Sequence, residues 1–255
     1  MDVIITVAFG YQPQLIEPFI LSLRKVYSGR LVLVISSSQL EEMSQLISFY
    51  NIEPLTVQHS DGISVMAERY FIFRDFLASN KGINRCFLTD SRDVIFQSSP
   101  FSIETPHLYL YSEPVKFSQC EYNGPWISKY YGDDLLSRVS ENLVLCAGTT
   151  LGSYDLITQY VDRMCSELHR HMNQPQELVD QPMHNFLYYT GQLPSAEVRA
   201  HGFSEVQTLH HEKVFSFDSE GFLLNRDGSR VPVIHQYDRH KQYFPKFEQM
   251  LNRQT

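Results

Sequence analysis

The fold is decided by residues 85–97, which read RCFLTDSRDVIFQ. A short apolar strand runs into two acids, Asp90 and Asp93, and a second apolar strand begins at Val94. Two carboxylates at the end of a buried strand are costly to desolvate unless a cation meets them. A divalent metal carrying a phosphorylated ligand would do so, because Mg²⁺ and Mn²⁺ sites combine carboxylates with phosphate oxygens. The alternative is a solvated turn with an Asp–Arg ion pair.

Apolar strands and amphipathic helices alternate before this stretch. Strands are predicted at residues 3–9, 31–35 and 55–58, and helices at 13–26, 39–50 and 65–77. This order implies right-handed crossovers and a mostly parallel sheet. Ligands of such sheets bind beyond the carboxyl ends of the strands, where the strand order reverses. Asp90 and Asp93 lie at such an end, which favours the metal site over the solvated turn.

The second half of the chain is less regular. Strands are predicted at residues 107–111, 143–146, 214–217 and 232–235, and helices after Ser153, at 180–189 and after Arg239. Residues 147–152 follow the strand at 143–146 and are given no element of their own. Residues 122–126 are predicted as an aromatic loop, whose rings suit the apolar face of a sugar unless the loop serves packing alone. We find no repeat, low-complexity tract or linker, so a single α/β domain over residues 1–255 is expected.

Composition narrows the class of protein. Hydrophobic residues make up 43% of the 255 residues and charged residues 20%, as in an ordinary globular protein. The formal net charge of −8 argues against a nucleic-acid partner bound through a broad basic face. An acidic protein that binds a nucleotide diphosphate would need a metal or a few well-placed cations.

Cysteine usage and the amino terminus indicate a cytoplasmic protein. The four cysteines form no Cys-x-x-Cys pair and no zinc-ligand spacing, so a disulfide framework is not expected. The first residues lack the basic region and the longer apolar run of a signal peptide. No run approaches the ~20 apolar residues of a transmembrane helix.

Polar residues follow directly after the late strand that ends at His235. An imidazole at a strand end is a competent ligand for Mn²⁺-like metals, and the alternative is a hydrogen-bonded histidine at the edge of the core. Arg239 would reach phosphate groups, unless it merely starts a solvated helix. The run of polar residues after His235 is more typical of a ligand-binding site than of a solvent-exposed surface.

Three other segments could face the same ligand. Asp180 and Gln181 open a predicted helix, where the dipole favours anions, although Asp180 could be a simple cap. Gly148 follows a strand and allows close approach of a ligand to the backbone, or serves packing alone. Arg69 could clamp a phosphate with two donors, or be an ordinary surface arginine.

In this order the segments resemble the GT-A type of nucleotide-sugar glycosyltransferase, typified by glycogenin and the bacterial lipooligosaccharide galactosyltransferases. The resemblance implies a GT-A (Rossmann-like) fold, with a mostly parallel central sheet and helices on both faces. It implies a nucleotide-binding half over residues 1–100 and an acceptor-side half over residues 101–255. The implied activity is metal-dependent transfer of a hexose from a nucleotide-diphosphate sugar, with UDP-sugars favoured, to an acceptor that the sequence does not identify.

The resemblance also implies roles for individual residues. The ligands of Mn²⁺ or Mg²⁺ would be Asp90, Asp93 and His235. The residues beside the reacting carbon would be Asp180 and Gln181, and the Asp-Gln likeness points to retention of configuration. The donor would contact Ala8, Phe9, Gly10, Tyr11, Arg69, Arg92, Gly148 and Arg239. Tyr11 would stack on the base.

The chain departs from the family pattern at three places. Arg92 stands where the second acid of the family's Asp-x-Asp motif would be, and Cys146 replaces the usual asparagine of the sugar pocket. The residues after His235 lack the usual Gly and Lys-Pro-Trp. Two other functions therefore stay open, namely nucleotidyl transfer or phosphoester hydrolysis at the same metal, and non-catalytic binding of a nucleotide sugar.

Overall fold

A mostly parallel sheet lies at the centre of the structure, a computed structural model that describes residues 1–59 and 62–253. The last two residues of the predicted domain lie outside these ranges. The strands are β1 (Val3–Val7), β2 (Arg30–Ser36), β3 (Glu53–Val57), β4 (Arg85–Thr89), β5 (Val94–Phe96), β6 (Leu108–Lys116), β7 (Leu143–Ser153), β8 (Ala196–Arg199), β9 (Val206–Thr208), β10 (Ser216–Phe217), β11 (Leu223–Leu224) and β12 (Val233–His235). The helices are α1 (Pro13–Val26), α2 (Leu40–Phe49), α3 (Val65–Ser79), α4 (Asn123–Tyr131), α5 (Asp133–Val139), α6 (Tyr154–Arg170), α7 (Asp180–Tyr189) and α8 (Phe244–Arg253).

Seven of the described strands form the central sheet, in the order β3-β2-β1-β4-β7-β6-β8. β1 pairs in parallel with both β2 and β4, and β3 pairs in parallel with β2. β7 runs antiparallel to β4 and β6, whereas β8 is parallel to β6. The predicted α/β fold with a mostly parallel sheet is confirmed. The strand order also places the reversal point beside β1 and β4, where crossovers depart in opposite directions.

Helices cover both faces of the sheet because alternate residues of its strands point to opposite sides. Ile5 of β1 packs in one core cluster with Tyr70 of α3 and Tyr160 of α6. Ile4 packs in the other cluster with Phe19 of α1. Each of these side chains is buried, and burying one of this size contributes about 2 kcal/mol. The continuous apolar runs of the strands are thus explained by burial on both faces.

A small second sheet, in the order β5-β12-β9, carries the late histidine to the acids. His235 of β12 pairs with Val94 of β5 and with Thr208 of β9. Since Val94 directly follows Asp93, this register places the imidazole beside the acid turn. Pairing between segments that are distant in sequence therefore assembles the candidate site.

The second half differs from the sequence prediction at several segments. The strand predicted at residues 143–146 is longer in the structure, since residues 147–152 continue β7, where Thr149 and Leu151 pair with Thr89 and Phe87 of β4. The predicted aromatic loop at residues 122–126 is mostly the first part of α4. In both cases tertiary packing overrides local turn chemistry. The sequence prediction did not include α5, β8, β9 or β11, and the strand predicted at residues 214–217 is shorter, as β10.

Two further expectations can be compared with the structure. Every cysteine of the chain is a free, buried thiol, as the absence of paired spacings indicated. Among the described helices, none combines the length and the apolar character needed to cross a membrane.

Candidate metal and phosphate site

Asp90, Asp93 and His235 converge on one point at the carboxyl end of β4. The distance from His235 Nε2 to Asp90 Oδ2 is 3.2 Å, and that to Asp93 Oδ1 is 3.7 Å. One potential ligand atom from each of the three residues lies within 4.8 Å of the other two. The three predicted metal ligands are therefore neighbours in the structure.

Each acid offers one oxygen to the histidine and gives the other to an arginine. Asp90 Oδ1 accepts a hydrogen bond from Arg69 Nη1, and Asp93 Oδ2 accepts one from Arg239 Nη2 at 3.2 Å. The backbone fixes the turn as well, because the amide of Asp90 donates to the carbonyl of Gly148 at 2.9 Å. Both carboxylates thus present one oxygen to the same small space.

The donor set fits a divalent cation. His235 is 1% exposed, and its Nε2 makes no hydrogen bond to any described residue although it faces two carboxylates. Its other ring nitrogen, Nδ1, lies 3.5 Å from the thiol sulfur of Cys146 and 3.4 Å from Thr208 Oγ1. Two carboxylates with one imidazole suit Mn²⁺, and the partners of Nδ1 fix the orientation of the ring.

Gly148 is needed because the cluster approaches the backbone of β7. A Cβ atom at this position would lie 2.4 Å from His235 Cε1 and 2.6 Å from Asp90 Oδ2. Both distances are well below van der Waals contact, so any larger residue would displace a proposed ligand. The predicted approach of a ligand to the backbone at Gly148 stays a prediction, whereas the structure shows that the absent side chain leaves space for His235 and Asp90.

The protonation of the cluster follows from its charges. Burial lowers the pKa of His235, but the neighbouring Cys146 and Asp90 raise it, and the net pKa lies well above its ordinary value. Burial raises the pKa of Asp90, but Arg69 and His235 together lower it by more than burial raises it. The net pKa of Asp90 is therefore well below the usual range. Burial raises the pKa of Asp93 in spite of His235. A cation on these atoms would displace the imidazolium proton.

Arg69 holds two carboxylates together. Its Nη1 donates to Asp90, and its Nη2 donates to Asp180 Oδ2 and, at 3.2 Å, to the carbonyl of Ala147. Its buried Nε has no hydrogen-bond partner in the described part of the chain. Since both Nη atoms already have acceptors, the structure gives Arg69 a positioning role for Asp90 and Asp180.

A cavity of about 270 Å³ opens directly beside the cluster. Its walls include Phe9 and Tyr11 from the loop after β1, and Arg92 and Arg239. Arg92 Nη2 lies 3.1 Å from Asp238 Oδ2 and 3.7 Å from Asp93 Oδ2. The guanidinium groups of Arg92 and Arg239 are partly exposed, so they remain accessible to an anion in this cavity.

The loop after β1 is held by a side chain that the sequence did not indicate. Gln39 Oε1 accepts a hydrogen bond from the amide of Gly10 at 3.1 Å, and its Nε2 donates to the carbonyls of Ala8 and Tyr11 at 3.3 and 3.1 Å. Gly10 has a φ of +70°, a conformation that suits glycine. Four residues of this loop were predicted to contact the nucleotide sugar. In the structure Ala8 and Gly10 shape the loop, whereas Phe9 and Tyr11 line the cavity.

Gln181 hydrogen-bonds to two buried polar side chains rather than to the proposed metal ligands. Its Nε2 donates to Glu113 Oε1 at 2.8 Å and to Asn123 Oδ1 at 3.0 Å. Glu113 and Asn123 are each 4% exposed. The sequence prediction did not identify Glu113, and it included Asn123 only as a member of the aromatic loop at residues 122–126. An acid inside the apolar strand LYLYSEPV, at residues 108–115, is the signal that could have identified Glu113.

A wider groove, of about 960 Å³, lies elsewhere on the surface. It runs between α1 and α2 and shares no lining residue with the cavity beside the cluster. Within residues 1–59 and 62–253, Asp90, Asp93 and His235 are the only group of three side chains placed to hold a metal. Convergent chemistry, not size, therefore identifies the candidate site.

No protein-family model matches the sequence, and a comparison with the curated proteins finds no match. The functional inference accordingly rests on the fold and on the geometry of these side chains.

Proposed function

We propose that this protein is a metal-dependent glycosyltransferase of the GT-A type that moves a sugar from a nucleotide-diphosphate sugar, with UDP-sugars favoured, to an acceptor hydroxyl. The observation that carries the proposal is the convergence of Asp90, Asp93 and His235 beside a cavity lined by arginines. A metal-bound diphosphate is the ligand whose charges match this arrangement.

The position of the site in the sheet supports a nucleotide ligand. In open α/β sheets, ligands bind beyond the carboxyl ends of the strands where the strand order reverses, which here is between β1 and β4. The loop at residues 8–11 follows β1, and Asp90 follows β4. Ser91 Oγ donates to the carbonyl of Val7 at 2.8 Å and ties the two ends together. The base would lie against the loop, where Tyr11 can stack on it.

The charge of the site supports a diphosphate. Among the described side chains around the cavity, four carboxylates (Asp90, Asp93, Asp180 and Asp238) contact three guanidinium groups (Arg69, Arg92 and Arg239). A divalent cation would turn this slight negative excess into a positive one, which favours a diphosphate.

The chain's own residues would bind and orient the donor. Mn²⁺ or Mg²⁺ held by Asp90, Asp93 and His235 would stabilise the negative charge that develops on the departing nucleoside diphosphate. Arg92 and Arg239 would bind phosphate oxygens through exposed N–H groups. Arg69 fixes Asp90 and Asp180 relative to one another, so that Asp180 stays ordered beside the donor pocket. The role of Gln181 would be on the acceptor side of the reaction.

Product analysis tests this proposal against its alternatives. The protein is incubated with Mn²⁺ and individual UDP-sugars, and UDP, UMP and pyrophosphate are separated by anion-exchange chromatography. We expect metal-dependent release of UDP, which Asp90→Asn abolishes and the exposed control Asp75→Asn retains. Release of UMP together with sugar 1-phosphate would instead indicate a phosphoesterase. Release of pyrophosphate in a parallel incubation with UTP and a sugar 1-phosphate would indicate a nucleotidyltransferase. Binding of UDP and Mn²⁺ without turnover of any UDP-sugar would indicate a non-catalytic binding protein.

A further inference from the structure

A second cavity lies next to the first, on the side of α4 and α7. Its volume is about 280 Å³, and Arg239 lines both cavities. A ligand in the second cavity would therefore border a diphosphate in the first. This is the position that a second substrate of a transferase must occupy.

The floor of this second cavity is a rigid set of polar groups. Gln181 Nε2 bridges the buried oxygens Glu113 Oε1 and Asn123 Oδ1. The backbone of Gln181 is fixed in turn, because its carbonyl accepts a hydrogen bond from Asn185 Nδ2 at 2.8 Å. Burial raises the pKa of Glu113, although Gln181 partly offsets this. Fixed carboxylate and carboxamide groups are suited to hydroxyl groups, which donate and accept at the same atom.

The wall of the second cavity is aromatic. The rings of Tyr122 and Trp126 lie 6.0 Å apart between centroids, and His210 meets the ring of Tyr122 edge-on at 6.2 Å. Tyr122 is 46% exposed, which is high for a large aromatic side chain beside a cavity. Aromatic faces exclude water from C–H groups, and one face of a sugar ring carries such groups.

We propose that the second cavity binds a neutral saccharide as the acceptor, an inference that rests on the proposed function. The C–H face of the saccharide lies on Tyr122 and Trp126, and one hydroxyl donates a hydrogen bond to Glu113. A polar floor under an aromatic wall disfavours a lipid tail, which would leave the floor unpaired. The volume, below that of most ligand pockets, suits about one or two sugar rings better than a protein segment.

Trp126 reports directly on this cavity because it is the only tryptophan of the chain. Its fluorescence is followed while the protein is titrated with methyl α-glucoside, methyl β-galactoside, maltose or lactose, with and without Mn²⁺ and UDP. We expect a saturable change with at least one of these sugars. Tyr122→Ala and Glu113→Gln should each weaken this binding about tenfold or more. Phe49→Ala removes an aromatic side chain that is 81% exposed outside both cavities, and it should leave the binding unchanged.

The outcomes separate the acceptor inference from the proposed function. If Mn²⁺ and UDP raise the melting temperature of the protein but no sugar changes the fluorescence, the acceptor inference is overturned and the donor site stands. If the sugars bind but UDP with Mn²⁺ has no effect, the saccharide pocket stands and the proposed glycosyltransferase function fails. Saturation by a serine- or tyrosine-containing peptide in place of every sugar would also overturn the inference. Glu113→Gln preserves the volume of the side chain and the oxygen that accepts a hydrogen bond from Gln181. A loss of saccharide binding in this variant would therefore not reflect unfolding.

Discussion

Two of the chain's histidines, His235 and His184, are similarly buried but lie in opposite electrostatic surroundings. His235 is 1% exposed and His184 is fully buried, and Nε2 of each ring makes no hydrogen bond to the described residues. His235 faces two carboxylates, whereas Nδ1 of His184 lies 2.7 Å from the hydroxyl of Tyr160. Burial lowers the pKa of His184 to about 3, with Arg69 acting in the same direction. The charges of the neighbouring side chains therefore determine which histidine can act as a ligand of a metal cation.

Two consecutive residues of α3 belong to the two different environments. Arg69 belongs to the charged cluster, while the next residue, Tyr70, hydrogen-bonds through its hydroxyl to Tyr160 at 3.2 Å. Tyr160 in turn contacts His184, so this side of α3 carries a neutral network. An unpaired buried imidazole nitrogen thus indicates a metal site only when acids surround it. The predictions below test this distinction between the two histidines.

The largest expected effect is on turnover. Asp90→Asn should lower the rate of UDP release from a UDP-sugar by about 100-fold or more, because a charge that stabilises the transition state is lost. His184→Asn should change the rate less than about threefold in the protein that remains folded. Both rates are measured with saturating Mn²⁺, and folding is checked by circular dichroism. Equal rates for Asp90→Asn and the wild type would contradict the assignment of the metal site.

Gly148→Ala should disturb only the charged environment. The added Cβ would collide with His235 and Asp90, which should weaken Mn²⁺ binding about tenfold or more and cost about 1–3 kcal/mol of stability. Gly82→Ala is the matched control, since no described atom lies within 4 Å of its Cβ position. Calorimetric titration with Mn²⁺ and urea unfolding measure the two effects. Unchanged Mn²⁺ affinity in Gly148→Ala would contradict this account, because it would show that the cluster accommodates a side chain at position 148.

The neutral environment should produce a pH dependence of stability. The pKa of His184 is depressed in the folded protein, to about 3 against about 6.5 in the unfolded chain. Its contribution to stability is therefore complete above about pH 6.5 and decreases as the pH falls toward 3. Between pH 7 and pH 5 the free energy of unfolding should fall by about 2 kcal/mol because of this residue alone. His184→Asn should show a correspondingly smaller fall in urea unfolding, and parallel pH profiles would refute the assignment.

The smallest expected effect concerns Arg92. Because this side chain is 39% exposed, Arg92→Gln should change the stability by less than about 1 kcal/mol. Loss of a charged phosphate contact should still weaken UDP binding about threefold to tenfold. Mn²⁺ affinity in the absence of UDP should not fall, since the Arg92 guanidinium lies 3.7 Å from Asp93 Oδ2 and its positive charge repels a cation bound there. If Arg92→Gln lowered the affinity for Mn²⁺ as much as it lowers the affinity for UDP, Arg92 would instead organise the metal cluster.

The sequence predicted the amino-terminal half of the fold well because its elements are local. Periodicity defined α1 and α3, and the apolar runs of β1, β2 and β4 follow from burial on both faces. The candidate ligands Asp90 and His235 were also predicted, since Asp90 directly follows an apolar strand and His235 is the last residue of one. The second half was predicted less well because β7 extends only through pairing with β4.

Some contacts of the site join residues that are far apart in the sequence, and no local pattern predicts which residues meet. Gln39 holds the loop after β1 from a separate turn, and Glu113 meets Gln181 across 68 residues of sequence. Arg69 was predicted as a donor clamp, but only the folded chain shows its two Nη atoms bound to Asp90 and Asp180. Such contacts depend on tertiary placement, which composition and periodicity do not encode.

The central claim is that His235, and not a buried histidine in general, completes a divalent metal site. Electron paramagnetic resonance of free Mn²⁺ tests it directly, because bound Mn²⁺ loses most of the solution signal. The wild-type protein with UDP should bind one Mn²⁺ per chain. His235→Gln should weaken this binding about tenfold or more, whereas His184→Gln should leave it unchanged. Equal Mn²⁺ affinity in the wild type and His235→Gln would contradict the account.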